Sequence, residues 1–185
     1  MPRQFGEPIL TDTLSTIFLP TRYNQEFLSS NKIAFWGDYY ANIIVYDFKG
    51  DTYKELFGAD TYIEAFRGNY SYSYSYSSAT KDKIKNITTK WVFLLVKNKD
   101  YNGNGRIDEH DPSTLFVATT KGENLKSLTD ETEDVVSFEI FGDQGFAMLK
   151  IQKDRDADKS FKNESIYFKK IDLNDLSMGK EIELK

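Results

Sequence analysis

The chain repeats itself. Residues 43–51 (IIVYDFKGD) and 115–123 (LFVATTKGE) align without gaps at an offset of 72, and the match continues through 52–56 (TYKEL) against 124–128 (NLKSL). Each copy reads as an apolar strand, a Lys-Gly turn with an acidic neighbour, and a second strand. Self-similarity at a fixed period marks a repeat architecture. Gly50 and Gly122 stand where a hairpin turn wants a positive φ, so both are expected in the left-handed region. A looser third copy runs over 165–173 (SIYFKKIDL), through an Asn174-Asp175 turn, to an ending segment at 179–184. The strands ahead of each copy also correspond, at 32–36 (KIAFW), 91–97 (WVFLLVK) and 145–151 (GFAMLKI), and the second and third copies are spaced by 54, which pairs Asp100 with Asp154.

The expected fold is therefore all-β, with three propeller-blade-like antiparallel meanders in a single domain over 1–185. The repeat units fall near 30–66, 88–130 and 133–185, with a Tyr/Ser- and Lys-rich insertion at 67–87. A further strand precedes the second and third units, best seen at 135–141 (VVSFEIF), and only 61–66 (TYIEAF) suggests a turn of helix. Closed propellers usually have four or more blades. Three units suit an open or incomplete propeller, a stack capped by residues 14–20, or a protomer completed by a partner; a β-sandwich is the alternative.

The units resemble bacterial TolB-type propeller blades, in which a hydrophobic strand ending near a Tyr and an Asp leads through an Asp-x-x-Gly-x-Asn-Leu turn to a Leu-Thr ending. The second unit carries Leu115, Phe116, Val117, then Gly122-Glu123-Asn124-Leu125 and Leu128-Thr129; the first carries Val45-Tyr46-Asp47 and Gly50-Asp51. The resemblance covers residues 30–185 and implies a repeat protein of the bacterial envelope that acts by binding.

Residues 100–111 (DYNGNGRIDEHD) have the spacing of an EF-hand calcium loop, which needs oxygen ligands at positions 1, 3, 5, 7, 9 and 12 and a glycine at 6. Asp100, Asn102 and Asn104 take positions 1, 3 and 5. Gly105 is the turn glycine, Arg106 offers its carbonyl at 7, Ile107 is the apolar anchor, Asp108 stands at 9 and Asp111 closes the loop at 12. Aspartate at the last position resembles dockerin loops and reaches less far than glutamate. The expected cofactor is Ca²⁺, because magnesium demands a tighter octahedron and keeps its waters. An apolar run leads in and Pro112 leads out, so the loop reads as an insertion between two strands rather than a helix–loop–helix. The equivalent place in the third unit offers a second candidate metal set, Asp154, Asp156 and Asp158 with Glu164 one position short of the closing place. There Lys159 stands where the glycine should be, and a plain acidic loop is the alternative.

Composition narrows the rest. No cysteine rules out disulfides, thiolate catalysis and Cys-based zinc sites, and the single histidine, His110, lies inside the calcium loop. A net charge of −5 does not favour phosphate backbones, so nucleic acid is not an expected partner. No apolar run reaches the roughly 18 residues of a membrane span. The start, MPRQFGEPIL, lacks the apolar stretch of a signal peptide, so either none is used or one has been removed.

In residues 69–78 (NYSYSYSYSS), a strand would put Tyr70, Tyr72, Tyr74 and Tyr76 on one face, either as an adaptable binding surface or as cover for the sheet. Lys81, Lys83, Lys85 and Lys90 read as a solvated basic loop, and Asp130, Glu131, Glu133 and Asp134 as a solvated acidic turn. No phosphate loop, nucleophile elbow or HExxH is present, and no catalytic residue is expected. The functional expectation is a calcium-stabilised binding or scaffold module outside the cytoplasm, in the periplasm or at the cell surface, with a protein or glycan partner. A carbohydrate-binding module using the tyrosine face, and a hydrolase with acidic catalytic residues, are the alternatives.

Overall fold

The computed structural model describes residues 3–12, 14–23, 39–67 and 90–184. Among these the chain is all-β, and no α-helix is present. The strands are β1 (Arg3–Phe5), β2 (Ile9–Asp12), β3 (Thr16–Tyr23), β4 (Asn42–Asp47), β5 (Thr52–Glu55), β6 (Tyr62–Arg67), β7 (Trp91–Lys97), β8 (Thr114–Thr119), β9 (Lys126–Ser127), β10 (Glu133–Phe141), β11 (Phe146–Lys153) and β12 (Ile166–Asp172).

They form three antiparallel sheets. In the first, β3 pairs with β4 and β4 with β5, while β1 and β2 pair in succession with β3, Phe5 opposite Thr21 and Ile9 opposite Phe18. The second runs β6-β7-β8-β9 and the third β10-β11-β12. Bridges from Phe168 to Ile182 and from Ile171 to Met178 lay the following segment along β12 as a fourth row. β4 and β8 begin and end 72 residues apart, at the offset of the sequence repeat.

The second sheet is packed on both faces, which is why β7 reads as an unbroken apolar run rather than an alternating one. Val92, Leu94 and Val96 meet Phe18, Ile43, Val45 and Phe57 of the first sheet's side. Phe93 and Leu95 point the other way, against Val135, Phe138, Leu149, Ile151 and Tyr167 of the third. Each such fully buried side chain contributes about 1.5–3 kcal/mol, and truncating Leu94 to alanine would cost about 2–5 kcal/mol. Polar ties reinforce both interfaces. Thr11 Oγ1 donates to the Thr120 carbonyl at 2.8 Å, and Trp91 Nε1 donates to the Leu173 carbonyl at 2.8 Å. Among the described residues the stack does not close on itself, and Ile166, Phe168 and Ile182 remain partly exposed on the third sheet.

Several strand assignments differ from those the sequence suggests. Residues 61–66 make strand β6, not helix, because Tyr62 and Ile63 pair with Lys97 and Val96 of β7. Residues 14–20 are not a separate cap; they run into β3, an interior strand of the first sheet with β1, β2 and β4 as partners. The first sheet thus draws its strands from 3–55, whereas 32–36 lies outside the described residues. The left-handed residue of the first hairpin is Asp51 (φ 51), not Gly50. There Asp47 Oδ1 accepts the N–H groups of Lys49 and Gly50 at 2.9 and 3.2 Å and sets the turn one residue later. Gly122 does have the positive φ (67), and a Cβ there would stand 2.6 Å from Val45 Cγ2, so this turn also needs glycine for the close approach of two sheets.

Candidate metal centres

The loop between β7 and β8 coils around its own oxygen-bearing side chains. Asp100 Oδ1 accepts the N–H of Gly103 at 2.8 Å and of Asn104 at 3.1 Å, and its Oδ2 accepts the N–H of Gly105 at 2.8 Å. Asn102 Oδ1 accepts the N–H of Asn104, and Asn104 Oδ1 that of Arg106, both at 2.9 Å. Gly105 takes φ +88 as the loop pattern requires, and Gly103 takes φ +77. A Cβ on Gly105 would meet nothing within 4 Å, so the demand there is conformational and not steric.

Asp111 closes the coil. Its Oδ1 accepts the N–H of Tyr101 at 2.8 Å and its Oδ2 that of Asp108 at 2.9 Å. Asp108 Oδ1 accepts the N–H of His110 at 3.0 Å, and its Oδ2 takes the Asn104 amide at 3.0 Å. Asp111 and Asp108 are buried at 2% and 9% exposure, while Arg106 and His110 face solvent. Lys97, at the end of β7, donates to the Asp111 carbonyl and to Ser113 Oγ at 2.9 Å; Ser113 in turn donates to Glu64. This buried network holds the closing end of the loop. A carboxylate oxygen has two lone pairs, so oxygens that take one N–H retain acceptor capacity for a cation.

The loop between β11 and β12 repeats this pattern at the offset of 54. Lys159 N–H donates to Asp154 Oδ2 at 3.0 Å, as Gly105 does to Asp100. Asp156 Oδ1 accepts the N–H of Asp158 at 3.2 Å, and Asp158 Oδ1 that of Ser160 at 2.8 Å, matching Asn102 and Asn104. Ala157 (φ 61) and Lys159 (φ 64) adopt the left-handed conformation that Gly103 and Gly105 adopt in the first loop. The lysine that spoils the sequence pattern therefore leaves the geometry intact, at about 1–2 kcal/mol for each such residue. Glu164 Oε1 accepts the N–H of Arg155 at 3.1 Å, the bond that Asp111 makes to Tyr101. One methylene longer and one position earlier, Glu164 closes the second loop.

Asp154, Asp156 and Asp158 each offer a carboxylate oxygen within 4.8 Å of the others, an arrangement that could hold a metal ion. Among the described residues Asp100, Asp108 and Asp111 form no such all-carboxylate group, and the Asn104 amide donates to Asp108 Oδ2. Asp154 is 6% exposed, and its Oδ1 is buried with no hydrogen-bond partner. Burial opposes its ionisation, but hydrogen bonds to its Oδ2 from Tyr101 and from the Lys159 N–H hold the carboxyl below its ordinary range.

The two loops touch. Tyr101 Oη donates to Asp154 Oδ2 at 2.8 Å, and the Tyr101 and Phe161 rings lie 5.7 Å apart. The phenol is pushed up to about 12, by burial and then by its bond to Asp154. Sequence reasoning missed Tyr101, since position 2 of a calcium loop has no prescribed residue and nothing local marks a contact across sheets.

Other candidate residues fall elsewhere. Tyr70, Tyr72, Tyr74 and Tyr76, with Lys81, Lys83 and Lys85, lie outside the described residues. Lys90 is exposed, as expected, and it donates to the Asn174 carbonyl at 2.9 Å and lies over the Trp91 ring. Nor is the acidic run simply solvated. Glu133 is 3% exposed and accepts from both Tyr167 Oη and Lys169 Nζ at 2.7 Å, and Asp134 Oδ1 accepts the N–H of Ser113 at 2.7 Å. A groove of about 540 Å³ opens beside the first loop, lined in part by Lys99, Pro112, Phe116, Asp130 and Glu131.

No helix among the described residues is long and apolar enough to cross a membrane. No protein-family model and no curated protein sequence matches this chain.

Proposed function

We propose that this chain is a non-catalytic, calcium-stabilised β-repeat module of the bacterial cell envelope, akin to TolB-type propeller repeats, that acts by binding a partner. The observation that carries the metal reading is the buried, unpartnered Oδ1 of Asp154 within a group of three carboxylates. A buried carboxylate oxygen without a donor is costly, and close carboxylates repel one another; a divalent cation relieves both. The matching coil at residues 100–111 supports a second ion, held by Asp100, Asn102, Asn104, the Arg106 carbonyl, Asp108 and Asp111.

Calcium suits these loops because the donors are all oxygen, carboxylates joined in the first loop by amides, and follow an irregular coil that an octahedral magnesium ion would fit poorly. Ions held this way stabilise the fold by linkage. Loops of modest affinity fill at about millimolar calcium, which favours the periplasm or cell surface. The experiment is thermal unfolding of chelator-treated protein with and without Ca²⁺. A clear rise in Tm with calcium and a smaller one with magnesium is expected. Melting that ignores calcium would remove the reading.

A further inference from the structure

We propose that the two loops are one coupled two-ion unit, in which Tyr101 links calcium occupancy of the Asp100 loop to that of the Asp154 loop and so clamps the second sheet to the third. The inference rests on the calcium reading above and adds to it a second ion and a route between the two. The second ion follows from Asp154: its Oδ1 is buried and unpartnered, while its Oδ2 already takes Tyr101 Oη and the Lys159 N–H. Of the pattern repeated from the first loop, the oxygen left over is the one that an ion would complete.

The route is short. Tyr101 gives its backbone N–H to Asp111, the closing carboxylate of the first loop, at 2.8 Å, and its phenol to Asp154, the opening carboxylate of the second, at 2.8 Å. One residue thus orients a ligand of each site. An ion in the first loop draws Asp111 inward and fixes the Tyr101 backbone, which presents the phenol to Asp154 and settles which lone pairs of that carboxylate face the second ion. Phe161, at the apolar place of the second loop, packs on the Tyr101 ring and carries the same constraint by contact. Lys159 Nζ stands 4.0 Å from where a Cβ on Gly103 would be, so the two coils also meet at their left-handed turns. Coupling of this kind is reciprocal: each ion raises the affinity for the other by the same factor.

The test is calorimetric titration of chelator-stripped full-length protein with CaCl₂. Two ions are expected. Asp156→Asn with Asp158→Asn should remove one ion and weaken the remaining site about tenfold. Tyr101→Phe keeps the ring on Phe161 and the N–H to Asp111 and deletes only the hydroxyl. It should leave two ions bound, with the second ion to bind held about tenfold more weakly, whichever site fills first. In the Asp156→Asn/Asp158→Asn background, Tyr101→Phe should change nothing. No heat from the parent protein would sink the calcium reading itself. A single ion, untouched by the double substitution, would keep that reading and overturn the two-ion unit. Two ions whose affinities ignore Tyr101→Phe would overturn the coupling. Hydrogen exchange at β8 and β12 checks that each variant retains its fold.

Discussion

Tyr101 and Asp154, 53 residues apart in the chain, meet through a 2.8 Å hydrogen bond from phenol to carboxylate. The bond joins two loops that occupy the same place in successive sheets, between β7 and β8 and between β11 and β12. The candidate metal centres are thus neighbours across a sheet interface, and their properties should be measured together.

Calcium dependence of stability is the first consequence. At a calcium concentration about a hundredfold above Kd, each ion adds about 2.7 kcal/mol, or about 5–10 °C in Tm for a chain of this size. Asp108→Ala and Asp111→Ala should lose most of that gain in differential scanning calorimetry. With chelator present a smaller deficit should remain, because both carboxylates also accept backbone N–H groups of the coil.

The left-handed residues give opposite signs in the two loops. Ala157→Gly and Lys159→Gly relieve strained backbone and should stabilise, each by about 1 kcal/mol. Gly105→Ala should cost about 1–2 kcal/mol, from backbone conformation alone. Gly122→Ala should cost more, because its Cβ would also strike Val45 Cγ2. Denaturant midpoints at constant slope would rank the four.

Glu133 contributes to the acid limb of stability. Burial works against its ionisation, but hydrogen bonds from Lys169 and Tyr167 outweigh this and hold its carboxyl below the ordinary range. A depressed folded-state pKa stabilises fully above the unfolded value of about 4.3 and is lost as pH falls through the folded value. Glu133→Gln leaves the partly buried Lys169 without that anion and should cost about 3 kcal/mol at neutral pH. Its stability should also decline less steeply between pH 5 and 3, followed by urea unfolding.

Tyr23 governs an alkaline limb. Its phenol donates to Asp60 and is pushed up to about 12, by burial and then by that carboxylate. A raised folded-state pKa contributes below the unfolded value of about 10 and is lost as pH rises through about 12. Tyr23 should therefore ionise late in a spectrophotometric titration, alongside the Tyr101 and Tyr167 phenols, which are raised as well. Tyr23→Phe should remove one phenolate from that late phase and flatten the stability loss above pH 10.

The local repeat and the loop chemistry were legible in the sequence. The offset of 72 placed β4 against β8, and the oxygen spacing at 100–111 marked a coil whose bonds run between near neighbours. Strand periodicity and turn chemistry act within a few residues, so one dimension suffices to read them. The tertiary structure alone decided the rest. It turned residues 61–66 into a strand by pairing them with β7, put Lys159 into a glycine's conformation, let Glu164 close a loop in place of an aspartate, buried Glu133, and brought Tyr101 to Asp154. The β6 pairing, the Glu133 partners and the Tyr101–Asp154 bond join segments about 30 to 50 residues apart, and β7 is buried on both faces by strands from two other sheets, contacts that no short window of sequence contains.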